Sequence, residues 1–282
     1  MPTSQATLTE TREEPRARLA IKNNHTLGAA LAVAGILTGL LAFYLLADIY
    51  VLNIDGKILD GRPDEAITVQ ITFAMLGWLG LSAGALWGAV LYGFAKKLPW
   101  AWFWGTVAAT VQLLAGFFPM IPPSSIGLPA PTVWVFMLAL VLWFGMLLIG
   151  GVNKKVIALT FVAGLAYVLT YMDGVATISK YQTTTYNDFW KGMYAMAQMV
   201  NWWGAAAWAV FIFATLKHKS WAIPLGIFAA LMSMMGGYPL AIVNIIEVER
   251  FSMFLPGPLI STVLLVVLLL PGTQKLISGD AR

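Results

Sequence analysis

The sequence predicts an all-α integral membrane protein with eight transmembrane helices. Hydrophobic residues make up 59% of the 282 residues and charged residues only 11%, whereas soluble domains carry about 25% charged residues. Eight apolar runs follow one another, most of them close to the roughly 20 residues that a helix needs to cross a bilayer core. The connections between these runs alternate between short basic segments and longer acidic or Pro-rich segments.

The predicted spans follow a polar amino-terminal segment. Residues 1–25 are mixed in charge and poor in aromatic residues, which predicts a disordered cytoplasmic tail. A short cytoplasmic carboxy-terminal tail is predicted at 277–282. The eight apolar runs lie at about 27–52, 67–95, 100–120, 132–151, 156–176, 190–216, 221–245 and 256–272.

The distribution of basic residues predicts the topology. Twelve of the 17 Lys and Arg residues fall on the side that holds both termini and the connections after the second, fourth and sixth runs. Those connections carry Lys96 and Lys97, Lys154 and Lys155, and Lys217 and Lys219. Because cytoplasmic loops are enriched in Lys and Arg, we expect both termini in the cytoplasm and the protein in the cell (inner) membrane.

The two halves of the chain resemble each other at a shift of 121 residues. Trp87 then falls on Trp208, Lys96 on Lys217, and Gly116 on Gly237. Single matches arise by chance between apolar helices, but an ordered series over four helices favours a duplication. We therefore expect a first repeat at 26–154 and a second at 155–276. Because each repeat has four helices, the repeats should be parallel and related by a pseudo-twofold axis along the membrane normal.

One aspartate ends the first predicted helix of each repeat. At a shift of 125 residues, Asp48 falls on Asp173, and both lie near the outer edge of the bilayer core. One interpretation is a symmetry-related pair that attracts cations at an outward-facing vestibule. The alternative is an ordinary solvated or capping Asp at the interface.

Further candidate substrate-binding residues are neutral. Gln112, Gln198 and Asn201 lie at mid-membrane depth and either line a polar path or join helices by hydrogen bonds worth about 0.6–2 kcal/mol each. Tyr238 precedes Pro239 after two glycines, which predicts either a helix break that lines a cavity or a natural helix end. The Pro-rich segment 120–131 could fold back as a re-entrant loop.

Composition excludes several chemistries. The chain has no cysteine and only two histidines, both outside the apolar runs, so no metal centre or redox cofactor is predicted. No nucleophilic triad or nucleotide-binding motif is present, which disfavours an enzyme, and a membrane enzyme acting on lipid has the weakest support. The basic residues are explained by topology, so no nucleic-acid partner is predicted.

Two functional hypotheses remain open from the sequence. The first is a passive transporter, channel or small-molecule carrier with an outward-facing site between the two repeats. The second is a non-catalytic membrane subunit or scaffold of a larger complex that binds lipid or quinone. The expected partners are the lipid bilayer, a lipid or small-molecule ligand, and another membrane protein.

Overall fold

The computed structural model describes residues 23–183, 188–248 and 251–279, and within these ranges the chain forms helices and turns without a strand. Residues 1–22, most of the predicted amino-terminal tail, lie outside the described residues. A 3-10 turn, Phe118–Met120, joins α3 to α4. The helices are α1 His25–Leu59, α2 Pro63–Ala95, α3 Trp100–Phe117, α4 Ile121–Ser124, α5 Val133–Ile149, α6 Lys154–Thr183, α7 Asp188–Leu216, α8 Ala222–Val248, α9 Pro256–Leu269 and α10 Pro271–Ser278.

A multi-pass helical membrane protein is confirmed, but eight spans are not. Six helices of the described chain are long and apolar enough to cross a membrane, and a seventh span is reached if α9 and α10 count together. α5 has 17 residues and is therefore about 26 Å long. That length is slightly below the roughly 30 Å of a bilayer core.

The ends of the helices follow local chemistry. Asn24 caps α1 by accepting a hydrogen bond from the Leu27 N–H at 3.1 Å, as short polar residues do at helix starts. α2 begins with Pro63 at its first turn, where the missing N–H costs nothing.

α2 and α7 end in turns of the same type. Lys97 and His218 follow the two helices with φ angles of 55° and 49°. In each turn the next residue donates back into the helix, from Leu98 to Gly93 at 2.8 Å and from Lys219 to Ala214 at 2.9 Å. This left-handed closure satisfies carbonyls that a helix end would otherwise leave unpaired.

The helices pack as two sets of four. In the first set α1 packs on α2, α2 on α3, α3 on α5, and α5 on α1; in the second, α6, α7, α8 and α9 pack in the same cyclic order. Between the sets the contacts include Phe103 with Phe213 and Phe118 with Tyr171, at ring distances of 5.3 and 4.8 Å.

Glycines set the close approach of helices within each set. A Cβ atom on Gly116 would lie 2.5 Å from the backbone nitrogen of Phe136 in α5, and one on Gly237 would lie 2.9 Å from Pro258 in α9. Both glycines therefore let the third helix of a set touch the start of the fourth, as small residues do between membrane helices.

Two proline segments differ from the sequence-based expectation. α8 continues through Pro239 to Val248, so neither a break nor a helix end occurs there. Proline is tolerated inside a membrane helix when neighbouring helices pack against that helix. Here α8 packs on α7 through Gly236 and on α9 through Gly237. The 120–131 segment forms the short helix α4 and turns.

The last apolar run is shorter than predicted. α9 ends at Leu269 rather than 272, because Leu270 precedes Pro271 and adopts an extended conformation with ψ of 131°. Residues before proline avoid the helical region. α10 then leaves at an angle of 83° and buries Ile277, which lies in the predicted tail.

Candidate functional site

A cleft of about 280 Å³ opens between the two helix sets, at the end of the molecule opposite the Lys connections. The first set contributes the end of α1, the start of α2 and the segment from Phe118 to Ser125. The second set contributes α6 and the residues just before α9. The volume is just below the roughly 300–1,000 Å³ typical of small-molecule sites.

One end of the cleft is an ionic network. Lys57, in the last turn of α1, is only 3% exposed and donates to Glu65 Oε2 at 2.7 Å and to Ser125 Oγ at 2.9 Å. Arg62 donates to Asp60 Oδ2 at 2.6 Å and to Glu65 Oε2 at 3.3 Å. The network ties the α1–α2 connection to Ser125, directly after α4. It also suits the helix dipoles, which favour a cation at the end of α1 and a carboxylate at the start of α2.

The remaining walls of the cleft are apolar except at Thr68. Met172, Val175 and Ala176 form one wall on α6, and Phe254 lies before α9. Opposite them are Val69, Phe118, Ile121 and Pro122 of the first set. The cleft therefore has a charged end and an apolar body, which matches an amphipathic ligand.

The residues of this network are not among the site residues that the sequence predicts: Lys57, Arg62, Glu65 and Ser125. Lys57 and Arg62 are basic residues on the side where the positive-inside rule expects few. This exception to the rule is the one feature of the sequence that points to Lys57 and Arg62. The 8-residue separation of Lys57 and Glu65 across a helix connection does not indicate that the two side chains meet.

Asp48 and Asp173 occupy different environments. Asp48 is exposed on α1, whereas Asp173 is 3% exposed on α6. A Cβ atom on Gly257 of α9 would lie 2.7 Å from Asp173 Oδ2, and this oxygen has no hydrogen-bond partner among the described residues. The two carboxylates therefore do not share one setting.

Asn201, on α7, lies in the same half of the second set as Asp173. It is fully buried against Gly236, and neither atom of its amide has a hydrogen-bond partner within the described part of the chain. Ser261, one helical turn after Gly257, is equally buried and its hydroxyl is also unpartnered there. Gln198 is half-buried. Asp173, Asn201 and Ser261 form what we call the polar layer of the second set.

At the place of Asn201 the first set has small apolar residues, although it too buries polar atoms without partners among the described residues, including Asn53 Oδ1 and Thr132 Oγ1. Gly80 stands 121 residues before Asn201, and Ala115 stands 121 residues before Gly236. A Cβ atom on Gly80 would lie 2.8 Å from Ala42 Cβ and 3.6 Å from Ala115 Cβ. Small apolar residues therefore fill in the first set the place that Asn201 takes in the second.

Gln112 is used for helix packing. It is fully buried; its oxygen accepts from the Trp87 indole N–H at 2.8 Å, and its amide donates to the Gly35 carbonyl at 2.6 Å. It thus joins α1, α2 and α3. Tyr238 is hydrogen-bonded to Thr262 Oγ1 at 2.7 Å and joins α8 to α9.

The second set contains a tryptophan that is hydrogen-bonded in the same way as Trp87. The Trp208 indole donates to Ser233 Oγ at 3.1 Å, and Thr170 of α6 donates to the same oxygen at 3.0 Å. Trp208 and Ser233 are each 121 residues after Trp87 and Gln112. In both sets a buried indole is therefore bonded to a polar side chain of the third helix.

Comparison of the chain with family models, with curated proteins and with solved structures finds no match. The features of the molecule that bear on its function are the cleft, the polar layer and the charges around them.

Replacing Trp87 with Phe should lower the free energy of unfolding in detergent, because Gln112 Oε1 loses its donor. We expect the hydrogen bond itself to account for about 0.6–2 kcal/mol. A cycle with Gln112→Leu separates this hydrogen bond from the lost ring volume. Trp78→Phe, on the same helix but 69% exposed, is the control. A zero coupling energy between Trp87 and Gln112 would contradict the assignment.

Proposed function

We propose that the chain is a membrane carrier for a small amphipathic anion, which binds in an outward-facing cleft between two parallel four-helix units. The observation that carries the proposal is the lining of the cleft, where Lys57, Arg62 and Glu65 stand at one end of an apolar groove. The lining itself holds these two cations and one carboxylate, because Asp60, which pairs with Arg62, lies outside it. The excess positive charge of the lining favours an anionic head group, and Arg binds carboxylate and phosphate in a fixed geometry. The apolar walls take the hydrocarbon part.

Corresponding contacts support the two-unit architecture. Trp87 and its partner Gln112 have the same sequence spacing as Trp208 and its partner Ser233. The turns at Lys97 and His218 also have the same geometry. With α5 and α9 included, each unit has four spans. The excess of Lys and Arg at one end then supports cytoplasmic termini in the inner membrane, and the cleft faces outward.

The polar layer supports a carrier over a simple binding protein. Phe254 lines the cleft, and Gly257, three residues later, faces Asp173. A ligand that leaves the cleft between α6 and α9 would reach Asp173 and then Asn201. Buried polar groups without partners are costly inside a membrane and therefore suggest function.

Ligand binding is tested with eight-carbon probes that differ only in their head groups: octyl phosphate, octanoate, octylamine and octanol. We expect the two anions to raise the thermal unfolding midpoint of the protein in nanodiscs more than octylamine or octanol does. Ala176→Trp should abolish this shift because the indole fills the cleft. Leu165→Trp, on α6 but 38% exposed, should retain it. Equal shifts in both variants would rule out the cleft as the site.

Transport is tested by counterflow of radiolabelled octyl phosphate in proteoliposomes. Asp173→Leu should reduce counterflow at least about tenfold, equivalent to about 1.4 kcal/mol, because it removes the hydrogen-bonding group that the head group meets beyond the cleft. Binding to the cleft should persist in this variant. Asp48→Leu, which changes the exposed carboxylate, should leave both measurements unchanged. Loss of counterflow in both variants to the same extent would contradict a specific role for Asp173.

A second candidate is a non-catalytic subunit or scaffold that binds an amphipathic molecule without moving it. It is favoured by the hydrogen bonds of Gln112 and Ser233, which join helices instead of lining a path. Binding of octyl phosphate without any counterflow in the unmodified protein would support this candidate over the carrier.

A further inference from the structure

A separate cavity of about 470 Å³ opens at the end of the molecule that carries the Lys connections. It lies among the starts of α1 and α3 and the ends of α5 and α7. The residues that matter for its chemistry are His25, Lys97, Trp102, Phe103 and Lys217. It shares no lining residue with the outward-facing cleft.

The charge of this cavity has one sign. Among the residues that the structure describes, Lys97 and Lys217 both line it and no carboxylate does. Among the described residues neither lysine forms an ion pair. Lys217 Nζ instead lies 4.1 Å from the centre of the Phe103 ring, a cation–π contact that leaves its positive charge uncompensated.

The start of α3 and the side chain of His25 also border the cavity. α3 begins at Trp100 without a side-chain cap, and Trp102 and Phe103 in its first turn line the cavity. Uncapped N–H groups at a helix start attract anions. His25 packs beside Trp102, at a ring distance of 6.1 Å, and its Nδ1 is buried without a partner among the described residues.

We propose that this cavity binds the phosphate of an anionic phospholipid. The two lysines and the start of α3 meet the phosphate charge, and Trp102, Phe103, Met146 and Leu147 give the cavity an apolar wall. Basic pockets between membrane helices are suited to anionic lipid head groups. Trp residues at helix ends belong at the depth of those head groups. A soluble phosphate would use the same donors but gain nothing from the apolar wall.

The proposal is tested by native mass spectrometry of the full chain in detergent, titrated with phosphatidylglycerol or phosphatidylcholine. The unmodified protein should retain one phosphatidylglycerol in preference to phosphatidylcholine. Lys97→Gln/Lys217→Gln should weaken phosphatidylglycerol binding at least about tenfold, or about 1.4 kcal/mol. Lys96→Gln/Lys219→Gln removes the same charge from the same two connections, outside the cavity lining, and should change binding less than about twofold, or about 0.4 kcal/mol.

Three results would overturn the proposal. Both lipids carry a phosphate, so equal binding of the two would show that the cavity does not select an anionic phospholipid. Equal losses in the two double variants would point to general surface charge, and displacement of phosphatidylglycerol by an equal concentration of glycerol 3-phosphate would assign the site to a soluble phosphate. Thermal unfolding of each variant without added lipid verifies that it is folded, and the single variant Lys217→Gln is measured if the double variant is not. Binding of octyl phosphate in the cleft should be unchanged in all of these variants.

Discussion

The fold depends on one constraint, which is that almost every polar group of the backbone must be satisfied without water. A chain with only 11% charged residues has too few of them to cover a water-exposed surface, and in lipid a helix pairs the backbone groups within one segment. What remains unpaired is concentrated at helix ends. There the chain uses Asn24, the left-handed turns at Lys97 and His218, and the network around Lys57.

Side chains inside the two helix sets meet the same constraint in two ways. In the first set Gln112 is fully used by Trp87 and Gly35, and small residues such as Gly80 and Ala115 close the space above it. In the second set Ser233 is similarly bonded, but Asp173 and Asn201 are buried without partners among the described residues.

The sequence was sufficient for the features that depend on local composition. The apolar runs predicted the helices, and the interhelical role was one of two interpretations offered for Gln112. Features that depend on tertiary contacts were not predictable. Pro239 stays within a helix because α8 packs between α7 and α9. Asp48 and Asp173 differ in burial because only Asp173 faces another helix of its set. Lys57 was counted only as a basic residue, since its partners Glu65 and Ser125 are 8 and 68 residues away.

The central claim, two parallel four-helix units with the cleft facing outward, is tested most directly by labelling single cysteines. The chain has no cysteine of its own, so Ser4→Cys, Ser124→Cys, Ser220→Cys and Ser278→Cys each give one site for a membrane-impermeant maleimide. In intact cells only Ser124→Cys should be labelled, and the other three should react after permeabilisation. Labelling of Ser220→Cys from outside would mean that α5 does not cross the membrane, and labelling of Ser4→Cys and Ser278→Cys from opposite sides would contradict two four-helix units.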